Sequence, residues 1–219
     1  MPNYGIQKQP EAYQMPDALS IELKQMISAL DKLKEDLQRL NNQIHADSYR
    51  AKPAQIVSQI WEQRQSQLKE HIQQLEDQIQ SLTQDHFKTM IDNLCSIKGI
   101  GKLTATAFVI LTQGFVHFDS AKQLVKFIGL CPTENSSGSS VRKGKHIPKK
   151  GISTLKSLLF NAARSALRSD NVFKQFYDRL KCNGKNGKVA LTAVMRKMAT
   201  YIFAIAKTQH NFDLNFNKN

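Results

Sequence analysis

Apolar residues recur along the first part of this chain at helical spacing. Leu19, Leu23, Met26, Leu30, Leu33, Leu37, Leu40 and Ile44 alternate in steps of four and three, with Lys, Glu, Asp and Gln between them. Such an a/d seam predicts a coiled-coil helix, and Asp17 is placed to cap its start. The seam stops between Asp47 and Pro53. Pro53 has no N–H to donate, and it biases Lys52 away from the α region. A second helix restarts near Ala54 and carries Leu68, Ile72, Leu75, Ile79 and Leu82 in the same steps. Two seams joined by a short breaker predict an antiparallel helical hairpin over residues 17–93, folded on itself or paired with another copy. Docking or dimerisation is favoured, because a bare apolar seam would aggregate. Residues 1–16, with no period, are expected to be disordered.

The texture changes at Leu94. The stretch from Leu94 to Thr104, with Gly99 and Gly101, separates two helical patterns, and Leu103 to Thr112 reads as a short apolar helix. Ser120-x-x-Gln123 forms a capping box ahead of Leu124, Val125, Phe127 and Ile128, and Gly129 stands where a C′ glycine belongs. Residues 131–151 read as a Ser, Gly, Lys and Arg-rich loop, with a small hairpin around Lys143-Gly144-Lys145. A helix follows with Leu155, Leu158, Leu159, Ala162, Ala166 and Leu167 on one side. Ser169-Asp170-Asn171 caps the next, Asn183 to Gly187 is a turn, and a last helix runs from about Lys188 to Thr208. The expected fold class is all-α, with at most that minor hairpin. An antiparallel coiled-coil hairpin precedes a compact helical domain over 94–210 containing a helix-hairpin-helix, and 211–219 is a flexible tail.

Charge sharpens the picture. The net charge is +13 and the pI about 9.7. Residues 1–94 carry 10 Lys and Arg against 13 Asp and Glu, whereas residues 95–219 carry 21 against 5, so the halves stand at −3 and +16. A surface that positive, with few acids mixed in, points to a polyanion, and phosphate backbones are the commonest. Cys95, Cys131 and Cys182 lie far apart with no C-x-x-C, which indicates neither a zinc site nor a disulfide framework and fits a reduced cytoplasmic setting. No uninterrupted run of eighteen apolar residues occurs, so no membrane span is expected. Residues 1–17 lack the apolar stretch of a secretory signal.

Two motifs carry candidate chemistry. Between two helices, Gly99-Ile100-Gly101 flanked by Lys98 and Lys102 fits a helix-hairpin-helix. Glycines let backbone approach a phosphate closely, and free N–H groups at the following helix start, through Thr104, point at the anion. Such contacts position DNA without reading its sequence. The bland alternative is an ordinary glycine turn. The second motif runs from Glu134 to Lys145 and holds Ser136, Ser137, Gly138, Ser139 and Ser140. A serine attacking a phosphodiester needs a base and needs its developing charge neutralised, and Arg142, Lys143, Lys145, Lys149 and Lys150 supply the second. His146 is the nearest base candidate, though a histidine among lysines is more often a phosphate contact. The composition alone is satisfied by a flexible, phosphate-touching loop. Asp119, Glu134, Asp170, Asp178 and Asp213, the acids of the basic half, are scattered and form no metal-binding set. The other histidines lie apart and read as structural, and Trp61 reads as packing. Arg164, Arg168, Arg196 and Lys197 are phosphate contacts or a solvated face.

Taken in order, the motifs resemble one family. Gly99-Ile100-Gly101, Phe118-x-Ser120-Ala121-Lys122-Gln123-Leu124, Gly129-Leu130-x-Pro132, Ser136-Ser137-Gly138, Ile147-x-Lys149-x-Gly151 and Gly187-Lys188-Val189-Ala190 resemble the C-terminal domain of the DEDD-type insertion-sequence transposases. That group includes the pilin gene-inverting recombinase, and the resemblance covers roughly residues 90–210. It implies a helical DNA-binding domain and a serine that joins strand exchange, which by position is Ser136, with Ser137 the runner-up. It also implies partnership with a resolvase-like acidic domain that holds Mg2+. No cofactor is expected in this chain itself. Further implied partners are DNA, a structured guide RNA in some members, and other copies or full-length transposase through the coil. Lys98 stands where the family usually has proline, Gly138 is followed by Ser139-Ser140 rather than Gly-Lys, and Ile152 replaces an asparagine. With no acidic domain in the sequence, three expectations follow. One is the DNA-binding, serine-bearing part of a transposase, inactive alone. Another is a catalytically inactive truncated copy acting as a nucleic-acid-binding or dimerisation module that inhibits the full enzyme, and a third is a purely architectural nucleic-acid clamp.

Overall fold

A computed structural model describes residues 18–49, 54–131, 133–136, 142–146 and 151–210. Helix α1 (Ala18–Asp47) and helix α2 (Gln55–Cys95) pair along their lengths. After α2 come α3 (Lys102–Leu111) and α4 (Ala121–Ile128), then strands β1 (Thr133–Ser136) and β2 (Arg142–His146), then α5 (Ser153–Ala166), α6 (Val172–Cys182) and α7 (Gly187–Thr208). The expected Asp17 cap and the Pro53 break lie outside the described residues, as do 1–16 and 211–219.

The α1/α2 pair is the predicted hairpin, zipped by its seams. Leu23, Ile27, Leu30, Leu40, Ile72 and Ile79 are buried, while Leu19, Met26, Leu33, Leu37, Leu75 and Leu82 are partly buried against them. Ile27 takes the inner place the heptad assigned to Met26. An antiparallel register is fixed by polar links at three levels. Trp61 Nε1 donates to Asp47 Oδ2 at 3.1 Å, Gln65 Nε2 to Asn41 Oδ1 at 2.7 Å, and Lys34 pairs with Glu76. Trp61 is therefore a half-buried lock near the hairpin tip. Beyond it, Tyr49, Ile56 and Ile60 stand 78%, 63% and 49% exposed, an apolar cap that the hairpin itself does not cover.

The helical domain is built around α7, which packs against α2, α4, α5 and α6. By length and composition α7 is apolar enough to cross a membrane, unlike the sequence expectation that counted only uninterrupted runs. Its apolar residues are nevertheless the hub of the core, with Ala190, Val194, Met198, Ala199 and Ile202 fully buried. The caps read from sequence are present. The Ser120 hydroxyl accepts from Gln123 N–H, while the Gln123 carboxamide oxygen takes the Asp119 N–H at 2.8 Å. Gly129 closes α4 at φ 79°, and the Asn171 side chain accepts from the Phe173 and Lys174 N–H groups.

The fold is helical apart from one small hairpin, whose centre differs from the one expected: β1 and β2 form an antiparallel pair, with Thr133 opposite His146, Asn135 opposite Lys143 and Ser136 opposite Arg142. Lys143-Gly144-Lys145 therefore lies within a strand and is not the tip of the hairpin. A glycine inside a strand looks in sequence like a turn signal, but Gly144 lies within β2.

The arm and the helical domain share one core. Helix α1 packs on α3, and the Thr154 hydroxyl at the start of α5 donates to Asp31 on α1 at 2.8 Å. Asn93 near the end of α2 donates to the Gln209 carbonyl past α7 at 2.7 Å.

Candidate nucleic-acid interface

Helix α2, the turn 96–100 and helix α3 stand where the helix-hairpin-helix was expected. Ile97 and Ile100 are buried and root the turn in the core, while Lys98 and Lys102 are exposed on its two sides. The Ile97 N–H bonds the Leu94 carbonyl and the Ile100 N–H the Ile97 carbonyl, so the turn is internally closed. Gly101 is the N-cap of α3 and offers no side-chain acceptor, so the amides of Lys102, Leu103 and Thr104 lack a side-chain cap. Thr104 is half-buried.

The two glycines have different tasks. Gly99 sits at φ 94°, and a Cβ there would lie 2.4 Å from the Ala162 carbonyl oxygen and 3.0 Å from the Ala166 Cβ. Its missing side chain makes room for α5, not for a phosphate. At Gly101 a Cβ would meet nothing within 4 Å, so this is the glycine open to an approaching anion. Below the turn, burial pushes the Cys95 thiol up, with Asp92 adding to the shift and Lys102 opposing it.

The strand pair brings a second set of candidates into register. Ser136 ends β1 directly across from Arg142, with Lys143 and Lys145 further along β2. His146 lies at the far end, opposite Thr133. Three residues of strand separate it from Ser136, roughly 10 Å at about 3.3 Å per residue, so the register does not present His146 as the base for Ser136. Ser137, Lys149 and Lys150 fall outside the described residues. The segment is pinched at its base. A Cβ on Gly151 (φ 108°) would lie 2.6 Å from the Gly129 nitrogen and the Ile128 oxygen, and Arg196 Nε donates to the Leu130 carbonyl at 2.7 Å. Arg196, one of the helix-borne cations, is thus tied to the protein through its Nε. The other three lie on α5 and α7 or just beyond α5. Arg179 and Lys197 flank the Phe176 ring at 5.3 and 4.9 Å from its centroid, and burial, then the Arg179 charge, pulls the Lys197 ammonium below the usual lysine range. Among the described residues no three His, Cys, Asp or Glu side chains converge on a common point.

Residues 91–178, which begin at the end of α2 and run through the hairpin, the strand pair and most of α6, match the model of the transposase IS116/IS110/IS902 family. Over that segment the chain is similar to the transposase domain of this family. Curated relatives agree. The insertion element IS110 uncharacterized 43.6 kDa protein of Streptomyces coelicolor is 31% identical over 133 residues, 61% of this chain and 32% of that protein. The pilin gene-inverting protein of Moraxella lacunata is 33% identical over 121 residues, 55% of this chain and 38% of that protein. The transposase for insertion sequence element IS1111A of Coxiella burnetii is 34% identical over 122 residues, 53% of this chain and 33% of that protein. The matched part of the chain spans about a third of the length of these relatives.

Proposed function

We propose that this chain is the nucleic-acid-binding part of a transposase, gripping DNA through Lys98, Lys102 and the α3 amides and carrying Ser136 as the nucleophile of strand exchange. The observation that carries it is the uncapped α3 N-terminus beside an open Gly101 and two exposed lysines, inside the family-matched segment. Backbone amides and lysines that converge on one spot suit a phosphate and are indifferent to base sequence.

In the proposed chemistry the Ser136 oxygen attacks phosphorus, forming a serine–phosphate ester. The bond to the strand's leaving oxygen breaks, the serine proton is lost to a base and the leaving oxygen gains one. Phosphodiester is exchanged for phosphodiester, so no oxidant or external energy is needed. Arg142, Lys143 and Lys145 share the ribbon with Ser136, and their charge favours the pentacovalent transition state. The described residues offer no set of carboxylates that fits Mg2+. In this reading Mg2+ and the base belong to a separate acidic domain. The exposed apolar cap at Tyr49, Ile56 and Ile60 supports association with another copy or with full-length enzyme through the arm.

The test is binding of duplex DNA by the full chain across a salt series. Lys98→Ala with Lys102→Ala should weaken binding on every sequence alike and lower the log–log salt slope by about one for each phosphate no longer neutralised. Undiminished affinity in this double variant would remove the hairpin from the interface. With a metal-loaded acidic domain supplied, a covalent protein–DNA adduct should form and vanish in Ser136→Ala. Persistence in that variant but loss in Ser137→Ala transfers the role to Ser137.

A further inference from the structure

A stripe on α5 is absorbed neither by the core nor by the hairpin interface. Ser153, Ser157, Phe160 and Arg164 follow in steps of four, three and four, which places them along one side of the helix over roughly 17 Å at about 1.5 Å per residue, and Arg168 follows two residues past its end. Two surface grooves open along this stripe and share Phe160 as a common wall. One, of about 340 Å³, lies between Phe160, Arg164 and Arg168 on one side and Tyr177 and Leu191 on the other. The second, of about 410 Å³, continues past Phe160 over Ser153, Lys156, Ser157 and Thr192 to Leu130 and Gly151. Those last two residues are where the chain enters and leaves the segment that carries Ser136.

The chemistry of the walls is consistent. No carboxylate lines either groove. Among the described residues neither Arg164 nor Arg168 is ion-paired. Phe160 is 40% exposed, a large ring left in water, with the Arg164 guanidinium 5.8 Å from its centroid. The Tyr177 hydroxyl lies over Gly187, where a Cβ would come within 3.1 Å of it. An exposed aromatic ring followed by two guanidinium groups with no ion pair among the described residues suits a strand whose bases are free to stack and whose phosphates are spaced along it. Duplex DNA hides its base faces and has no use for Phe160.

We propose that the α5 stripe is a binding track for an unpaired nucleic-acid strand, with one base stacked on Phe160 and the flanking phosphates on Arg164 and Arg168, leading toward the Ser136 segment. This rests on the reading of the chain as a nucleic-acid binder but concerns a different surface and a different form of the ligand. The experiment measures binding of a fluorescent 12-residue oligothymidylate, an oligouridylate of the same length and a duplex to the full chain. Phe160→Leu keeps the apolar bulk and loses the ring. It should weaken single-strand binding by roughly 5- to 100-fold, the usual range for loss of one stacked base, and leave duplex affinity within about twofold. Phe160→Trp should retain single-strand binding, and Arg164→Gln with Arg168→Gln should lower it in a salt-dependent way. The tighter of the two oligonucleotides identifies the strand as DNA or RNA. Unchanged single-strand binding in Phe160→Leu, or competition by an acidic peptide as effective as that by oligonucleotide, overturns the track while leaving the hairpin reading intact. Failure of the wild-type chain to bind any of the three overturns both.

Discussion

The Gly99 and Gly101 positions allow stability and DNA binding to be separated by adding one methyl group at a time. In Gly99→Ala the new Cβ must enter a backbone held at φ 94° and meet the Ala162 carbonyl oxygen at 2.4 Å. A left-handed conformation costs an L-residue about 1–2 kcal/mol. Overpacking against a helix backbone that cannot yield as a side chain would adds about 1–3 kcal/mol. The expected loss is therefore about 2–5 kcal/mol, or a fall in Tm of roughly 4–20 °C for a chain of this size. In Gly101→Ala the methyl enters open space at φ −96°, so only the poorer N-cap preference of alanine acts, a matter of some tenths to about 1 kcal/mol. Its effect should fall on duplex affinity, since the methyl stands where a phosphate would approach. Urea denaturation of both variants, followed by duplex titration under conditions where each is folded, reads the two quantities apart. If Gly99→Ala is as stable as the parent, the account of Gly99 as a helix-packing residue is wrong. If Gly101→Ala binds duplex undiminished, the anion does not sit over this glycine.

Three further outcomes are expected. Arg196→Met should destabilise the domain by about 1–3 kcal/mol in urea denaturation, because the Leu130 carbonyl loses its guanidinium donor. Ser120→Ala should cost about 1 kcal/mol by the same measurement, the usual value of an N-cap hydroxyl. Burial and Asp92 raise the Cys95 pKa, so at pH 8 less of it is thiolate, and Cys95 should react with iodoacetamide more slowly than the exposed Cys182. Raising the pH should speed Cys95, and Asp92→Asn should speed it at fixed pH; a Cys95 as fast as Cys182 at pH 8 would contradict this ordering.

What the sequence disclosed was whatever depends on spacing. The two heptad seams, the Ser120–Gln123 box, the Gly129 and Asn171 caps and the glycine turn are local patterns whose physics is complete within a few residues, and they reappear in the fold. What it concealed depends on partners distant in the chain. Gly99 is needed because of Ala162, and Gly151 because of Gly129. Arg196 was one cation among many until Leu130 was seen to claim it. Ile27 and Met26 are adjacent and equally apolar, so only the geometry of the opposing helix decides which turns inward. The strand pair was half legible. A basic Gly-containing hairpin was expected, but the residues taken as its centre belong to β2, and its register opposite Ser136 could not be counted from sequence. Phe160, Arg164 and Arg168 look in sequence like ordinary residues of an amphipathic helix. Their interest appears only when α6 and α7 turn that side into a groove.

One helix joins the two ends of the molecule. α2 is unbroken for 41 residues, about 60 Å, from the arm's tip to the lysine-flanked turn. Any torque applied at the tip therefore arrives at Lys98 and Lys102 without a joint to absorb it. Helical phase then becomes a mechanical setting: one residue removed from the middle of α2 swings the arm's azimuth by about 100°, whereas a whole heptad removed shortens its reach by about 10 Å and turns it by only about 20°. Whatever holds the tip thereby also sets the direction in which Lys98 and Lys102 face.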